Sequence, residues 1–172
     1  MSEFYYLKNN DALQGKIFFD KSLENLTWLK VGGKAKCLYI PKNKEDLALF
    51  LKDINAEVQI NVFGRLSNVL IRDGGISGIT ILIPPSFSRL ETQNNKIICG
   101  SGMLDRNISQ FAYDNNIGGL EFLSGIPGNI GGAIAMNAGC YGDEIKDILE
   151  EVIILERDGT FKTYKNDQMN FS

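Results

Sequence analysis

The apolar positions in the first half of the chain repeat at helical and at strand spacing. Asn43 can cap a helix that has Asp46 three residues further on. The apolar positions of that helix follow the i, i+3, i+4, i+7 pattern of one buried face: Leu47, Phe50, Leu51 and Ile54. Short β-rich runs surround it, and they predict strands at Lys36–Ile40, Val58–Phe63, Val69–Ile71 and Ile79–Ile83.

The second half of the chain continues the mixture of helices and strands. A strand at Lys96–Cys99 precedes a helix that should end near Gly118 and Gly119; its apolar positions are Leu104, Ile108, Phe111 and Ala112. A helical turn is predicted at Ile145–Leu149. Asp158-Gly159 is the strongest hairpin signal in the chain, and it predicts a pair of strands at Val152–Leu155 and Thr160–Tyr164. The pattern predicts an α+β or α/β fold, and the hairpin argues against a purely parallel sheet.

Breaks in the pattern suggest where the chain divides. Residues 1–22 have no clean period and are interpreted as an N-terminal arm or an irregular helix. Pro84-Pro85 interrupts the chain after a predicted strand, which makes it a candidate boundary. The sequence therefore predicts an arm at 1–22, one subdomain at 23–83 and a second at 84–172.

Glycines are concentrated in the second predicted subdomain. The stretch SGIPGNIGGAIAMNAGCYGDE, Ser124–Glu144, carries no charge before Asp143. Glycine inside a regular element costs roughly 0.5–1 kcal/mol relative to alanine, so a dense cluster needs a reason. One reason is tight turns and close packing. The other is direct contact between bare peptide N–H groups and a phosphate. Composition alone leaves both readings open.

A second loop supports the explanation that the glycines contact a ligand. Gly64-Arg65-Leu66-Ser67-Asn68 follows a predicted strand and offers a hydroxyl, an amide and a guanidinium group. By itself such a loop is most often an ordinary turn. Two such loops in two subdomains suggest one extended ligand.

Composition excludes several classes of chemistry. The 172 residues include no histidine, which removes His-dependent nucleophilic catalysis and the commonest zinc ligand, and we expect no metal site. The net charge of −3 gives no sign of a nucleic-acid or acidic-membrane partner. The three scattered cysteines and the absence of a signal-peptide core or a long apolar run suggest a cytoplasmic protein.

Several residues near the glycine stretch have ordinary explanations. Asp143, Glu144 and Asp147 could form a carboxylate site, but a solvated helix start is the favoured interpretation. Met136 is a core residue or part of a cofactor wall, with the core favoured, and Cys140 is interpreted as a small buried filler. Familiar phosphate motifs are missing. There is no Walker-type loop, and Asp105 stands where the third glycine of a dinucleotide fingerprint belongs.

The segment GGLEFLSGIPGNIGGAIAMNAGCYG, Gly118–Gly142, closely resembles the signature of the bacterial UDP-N-acetylenolpyruvoylglucosamine reductases. Asn25–Ala35 resembles the N-terminal segment of that family. Ser67-Asn68, followed by Arg72-Asp73-Gly74-Gly75, resembles its first flavin loop. The resemblance runs from about Leu23 to Ser172.

The resemblance implies an α+β FAD-binding fold of the PCMH, or vanillyl-alcohol-oxidase, type, in which two α+β subdomains hold tightly bound, non-covalent FAD. It implies NADPH as co-substrate and a UDP-sugar as substrate. The reaction would reduce UDP-N-acetylglucosamine enolpyruvate to UDP-N-acetylmuramate for peptidoglycan synthesis, and so serve cell-wall biogenesis, cell shape and cell division. The expected FAD contacts are Gly64, Arg65, Ser67, Asn68, Ser124, Gly125, Ile126, Pro127, Gly128, Ile130, Gly131, Gly132, Asn137, Ala138 and Gly139.

Two departures from the family pattern stand out. Leu66 occupies a position that is usually glycine, and a positive φ there would strain it by about 1–2 kcal/mol. The arginine, serine and glutamate that the family uses on the substrate have no counterpart here, so they are expected beyond Ser172, in a separate substrate domain. We therefore expect the chain alone to be inactive. The alternatives are a non-catalytic flavin-binding module, an inert remnant, or another flavoenzyme of the same fold.

Overall fold

A computed structural model describes residues 4–171, and the chain divides into two compact units. Unit 1 contains the described residues up to Pro84 together with Arg157–Thr160. Unit 2 contains Pro85–Glu156 and the described residues from Phe161 onward. Met1–Glu3 of the predicted arm, and Ser172, lie outside the described residues.

Helices and strands are mixed throughout, so the predicted α+β class is correct. The strands are β1 Lys16–Ser22, β2 Lys34–Ile40, β3 Ile60–Phe63, β4 Ile76–Leu82, β5 Leu90–Gln93, β6 Lys96–Cys99, β7 Gly139–Cys140, β8 Asp143–Glu144, β9 Glu151–Leu155 and β10 Phe161–Lys165. The α-helices are α1 Lys44–Lys52, α2 Asp105–Asp114, α3 Ile130–Ala135 and α4 Ile145–Ile148. Short 3-10 turns lie at Tyr5–Asn9, Glu24–Leu26, Pro85–Phe87, Glu121–Gly125 and Asn166–Gln168.

Unit 1 is built on a four-stranded sheet with the order β1-β2-β4-β3. β1 pairs antiparallel with β2, whereas β4 runs parallel to both β2 and β3. The central strand β2 is buried on both faces, as its apolar run predicts. On one face, Leu38 joins a core cluster with Leu23, Ala35, Leu66 and Ile71. The sheet therefore has a core that includes the loop after β3.

The other face of β2 is covered by α1. Tyr39 stacks on Phe50 with ring centroids 3.8 Å apart. Asn43 caps the helix as predicted, because its Oδ1 accepts the N–H of Asp46 at 2.9 Å. The Asp46 carboxylate in turn accepts the N–H groups of Gln14 and Lys42, each at 2.8 Å.

Unit 2 encloses its own core between α2, the 3-10 turn at Glu121–Gly125 and α3. The buried members of this core are Met103, Ile108, Phe122, Leu123, Ile130, Ala133 and Ile145. β9 and β10 form the predicted antiparallel hairpin, and α4 is the predicted helical turn. Its start is closed by a capping box between Glu144 and Asp147, as the solvated-helix interpretation expects.

Three parts of the sequence-based prediction are wrong. α2 ends at Asp114 and not near Gly118 and Gly119. Residues 16–22 are not part of an irregular arm but form β1, with Ile17 opposite Tyr39. Val69–Ile71 is not a strand but an irregular segment, from which Ile71 packs into the unit 1 core. No helix among residues 4–171 combines the length and the apolar character that crossing a membrane requires.

Candidate functional site: two glycine-rich loops

The first candidate loop, Gly64–Asn68, begins where β3 ends in unit 1. Arg65 and Asn68 are exposed, and Ser67 is half-buried. The carbonyl of Leu66 accepts the N–H of Trp28 at 3.4 Å, which ties the loop to the segment that precedes β2. The loop thus offers polar side chains to solvent from a fixed base.

Leu66 adopts the strained backbone conformation that the sequence raised as a possibility. Its φ is +54°, in the left-handed region that favours glycine. The cost is about 1–2 kcal/mol. The side chain, however, is only 4% exposed and lies in the unit 1 core. Burying a leucine contributes about 1.5–3 kcal/mol, so burial offsets the strain.

The second candidate segment, Ser124–Gly139, leads into and out of α3 in unit 2. The N–H groups at the start of α3 already have acceptors within the chain. Ile130 donates to the Met103 carbonyl at 2.9 Å and Gly131 to the Ser101 carbonyl at 3.1 Å. The N–H groups of Gly132 and Ala133 both donate to Asn129. The expectation that the amides of Ile130, Gly131 and Gly132 are bare is therefore wrong in this conformation.

The amides just before α3 differ from those within it. Neither the N–H of Gly128 nor that of Asn129 forms a hydrogen bond to another described residue. Asn129 is only 7% exposed and Gly128 is half-buried, and their N–H groups are the amides of this segment that remain open to a ligand.

The glycines of α3 separate into two kinds. A Cβ on Gly131 would lie 2.8 Å from the Cβ of Ser101, so close packing inside the unit requires this glycine. A Cβ on Gly132 would meet nothing within 4 Å, and the residue is exposed. No internal contact explains Gly132, whereas close approach of a flat ligand would. The residues present therefore fit a dinucleotide cofactor at Gly128, Asn129 and Gly132.

The remaining predicted FAD contacts of this segment differ in how exposed they are. Ser124, Gly125 and Pro127 are exposed, and Ile126 is half-buried against the unit 2 core. A Cβ on Gly125 would lie 2.6 Å from the Sγ of Cys140, so packing also explains this glycine. Gly139 is exposed at the start of β7, and Ala138 packs on the core.

The Asn137 side chain forms hydrogen bonds within the chain. Its Nδ2 donates to Oε2 of Glu144 at 2.8 Å, and its Oδ1 accepts the N–H of Lys146 at 3.0 Å. The backbone φ of +42° is one that asparagine tolerates. The side-chain ammonium of Lys146 also donates to the Glu144 carboxylate, and this bond, together with that from Asn137, lowers the pKa of Glu144. These two hydrogen bonds tie the Asn137 side chain to the β7–β8 hairpin, and the cofactor contact by Asn137 stays a prediction.

Two exposed side chains border the segment. Met136 is 72% exposed, so its interpretation as a core residue is wrong. Tyr141 is 85% exposed and has a φ of +59° in the two-residue turn between β7 and β8. Sequence reasoning passed over Tyr141, because two-residue hairpin turns favour Asn, Asp or Gly before the glycine and a tyrosine there gives no such signal.

Asp105 is the other residue that sequence reasoning missed. Its backbone N–H donates to the carbonyl of Gly128 at 3.4 Å. The side chain is buried, and neither carboxylate oxygen has a hydrogen-bond partner among the described residues. Burial raises the pKa of Asp105 to about 7. A lone aspartate in the first turn of a helix is normally solvated, so no local pattern indicates this burial.

The cysteines remain free thiols, and burial raises the pKa of Cys99 to about 11, with a further contribution from Asp105. Cys140 is half-buried, consistent with its interpretation as a filler. Within the described part of the chain, no group of three or more Cys, Asp or Glu residues is placed to hold a metal ion.

Comparison with known proteins gives a consistent result. The family described as FAD binding domain matches residues 35–165. The UDP-N-acetylenolpyruvoylglucosamine reductase of Rickettsia akari is 44% identical over 160 residues, which cover 93% of this chain and 54% of the relative. The enzyme of the same name from Rickettsia bellii is 43% identical over 164 residues, again covering 54% of the relative. The chain thus spans about half the length of the curated relatives it matches.

Solved structures agree with the sequence relatives. The crystal structure of UDP-N-acetylenolpyruvylglucosamine reductase from Thermus caldophilus is similar with a TM-score of 0.74 and 32% identity, over 93% of this chain and 55% of that one. Cholesterol oxidase from Brevibacterium sterolicum, at 13% identity and a TM-score of 0.64, shares the fold alone. These similarities confirm the PCMH-type FAD-binding fold that the resemblance implied.

Proposed function

We propose, because the chain belongs to the FAD binding domain family, that it is the FAD-binding part of a UDP-N-acetylenolpyruvoylglucosamine reductase. The observation that carries the proposal is the match to reductases of that name along 93% of the chain, at 44% identity. A similarity of the fold alone would leave many flavoenzymes open. The agreement along the sequence supports the reaction for which those relatives are named.

Within the chain, the FAD contacts are assigned to the two loops. In unit 1 they comprise Gly64, Arg65, Ser67 and Asn68. In unit 2 the N–H groups of Gly128 and Asn129 are assigned to phosphate, and the open face at Gly132 allows close approach. Binding is proposed to be tight and non-covalent, because the contacts are amides, a hydroxyl, a guanidinium group and apolar surface.

Other residues of the chain hold these contacts in place. The carbonyls of Met103 and Ser101 fix the start of α3 through the N–H groups of Ile130 and Gly131. Asn137 and Glu144 brace the turn that follows the helix. The protein's part is therefore binding and orientation. FAD, when bound, would supply hydride transfer between NADPH and the enolpyruvyl double bond of the UDP-sugar substrate.

The wider role follows from the same assignment. The product would be UDP-N-acetylmuramate, a precursor for peptidoglycan synthesis, so the protein would act in the cytoplasm and support cell-wall biogenesis, cell shape and division. A substrate domain outside the 172 residues is proposed to supply the arginine, serine and glutamate of the reaction. The chain alone would then bind FAD without turnover.

A direct test compares two exposed glycines. Gly132→Val fills the open face of α3, whereas Gly118→Val changes a glycine outside the proposed contacts whose added Cβ would meet only Glu121, at 3.7 Å. Each purified chain is titrated with FAD, and flavin fluorescence reports binding. We expect Gly132→Val to weaken FAD affinity by roughly a hundredfold, since displacing the ligand loses several contacts, and Gly118→Val to leave it unchanged. Equal affinities in the two variants would remove Gly132 from the site, and a wild-type chain that binds no FAD would overturn the proposed function.

A further inference from the structure

We propose that Leu66 is a positioning residue that holds the loop Gly64–Asn68 in its ligand-binding shape before the ligand arrives. This inference rests on the proposed function, because the loop is one of the two assigned to FAD. Leu66 itself need not touch the cofactor. It acts through the backbone of its neighbours, Ser67 and Asn68.

The side chain of Leu66 is fixed from inside unit 1. It is 4% exposed and packs in the core cluster with Leu23, Ala35, Leu38 and Ile71. Of the residues on either side, Arg65 is exposed and Ser67 is half-buried. Leu66 is therefore the one buried side chain of the loop Gly64–Asn68, and it packs against Ala35 and Leu38 of β2 and against Leu23 and Ile71, which lie outside the strands.

The backbone of Leu66 is fixed as well. Its φ is +54°, and its carbonyl accepts the N–H of Trp28. A glycine at this position would sample both signs of φ freely. A leucine whose side chain is held in the core can reach that position only from a narrow set of backbone angles. The direction of the N–H groups that follow is therefore determined in the free protein.

This arrangement predicts a gain in affinity from preorganisation. A loop that is already ordered loses less conformational freedom when a ligand binds. The strain at Leu66 is present in both the free and the bound protein, so it does not weaken binding. The leucine that departs from the family pattern thus supports FAD binding by a route that glycine does not offer.

The test uses three substitutions of Leu66 and one matched control. Leu66→Ala removes the anchor but keeps a side chain at positive φ, Leu66→Gly removes both the anchor and the strain, and Leu66→Met keeps an apolar anchor of similar volume. Leu38→Ala is the control, because Leu38 is 1% exposed in the same core but lies on β2, outside the loop. Each variant is titrated with FAD and with riboflavin, which lacks the diphosphate.

We expect Leu66→Ala and Leu66→Gly to weaken FAD affinity by about tenfold or more and riboflavin affinity by less than about threefold, since order in the loop is what they lose. Leu66→Met should restore wild-type FAD affinity. Leu38→Ala should reduce stability without changing the FAD affinity of the folded protein. Equal losses of FAD affinity in Leu66→Ala and Leu38→Ala, or an unchanged affinity in Leu66→Gly, would contradict the proposal.

A second readout separates this inference from the proposed function. Hydrogen exchange of peptides that span the loop is measured without any flavin. The amides of Ser67 and Asn68 should exchange faster in Leu66→Ala and Leu66→Gly than in the wild type or in Leu38→Ala. Unchanged exchange would refute the positioning role even if FAD binds. If the wild-type chain binds no FAD but exchange changes as expected, the proposed function fails while the loop-ordering role of Leu66 stands.

Discussion

Replacing Asp105 by asparagine should make the protein more stable at neutral and alkaline pH. The buried Asp105 carboxyl has no hydrogen-bond partner among the described residues, and burial raises its pKa from the ordinary value of 3.8 to about 7. Because the folded protein holds this proton more tightly than the unfolded chain, stability falls as pH rises from about 4 to about 7 and then levels off. The pKa change corresponds to a loss of about 4 kcal/mol.

Asparagine has nearly the same shape as aspartate but cannot ionise. Above about pH 7 the Asp105→Asn variant should therefore be more stable than the wild type by up to about 4 kcal/mol, less the cost of burying an amide. At about pH 4 the two proteins should be similar, because Asp105 is then neutral when folded. Urea unfolding followed by circular dichroism at several pH values between these limits measures the difference.

The control is Asp114→Asn at the exposed end of the same helix, α2. Its effect should stay within about 0.5 kcal/mol at every pH, as for most surface changes. An Asp105→Asn variant whose stability advantage does not grow with pH would show that Asp105 is paired or hydrated in solution. The reasoning from burial would then be refuted.

Two further changes test the packing of each unit. Burial by itself raises the pKa of Asp46, but the adjacent Tyr39 side chain and the hydrogen bonds from the backbone N–H groups of Lys42 and Gln14 outweigh it and lower the pKa. Asp46→Asn should cost roughly 1–3 kcal/mol at neutral pH, and the deficit should shrink as acid protonates the wild-type carboxylate; a constant deficit in chemical denaturation down to low pH would contradict this. Gly131→Ala should lower stability by about 1–3 kcal/mol, because its Cβ would lie 2.8 Å from Ser101 Cβ, and an unchanged melting temperature would show that Ser101 moves aside at no cost.

Local signals in the sequence predicted much of the fold. The Asn43 cap and the apolar face of α1 lie within a few residues of each other, and so do the strands on either side of Asp158-Gly159. β1 was missed because Ile17, Phe18 and Phe19 do not alternate with polar residues, and only pairing with the distant β2 makes the segment a strand.

The sequence identified the candidate loops, but it did not show which of their residues are buried and which are open to a ligand. The resemblance pointed to Leu66 as an anomaly, yet its burial depends on Leu23 and Ile71, which come from other parts of unit 1. The glycine pattern did not distinguish Gly131, which packing requires, from Gly132, which is open. Asp105 has no local signal at all. Long-range packing determines these three features.

The most direct test of the account is the equilibrium binding of FAD and of riboflavin to the purified wild-type chain. Because the proposed contacts to Gly128, Asn129 and the Gly64–Asn68 loop include the diphosphate, FAD should bind at least about tenfold more tightly than riboflavin. Gly132→Val should weaken the binding of both flavins, because the open face of α3 is assigned to the flat part of the ligand. A chain that binds neither flavin, or binds both equally well, would contradict the claim that these loops hold a dinucleotide.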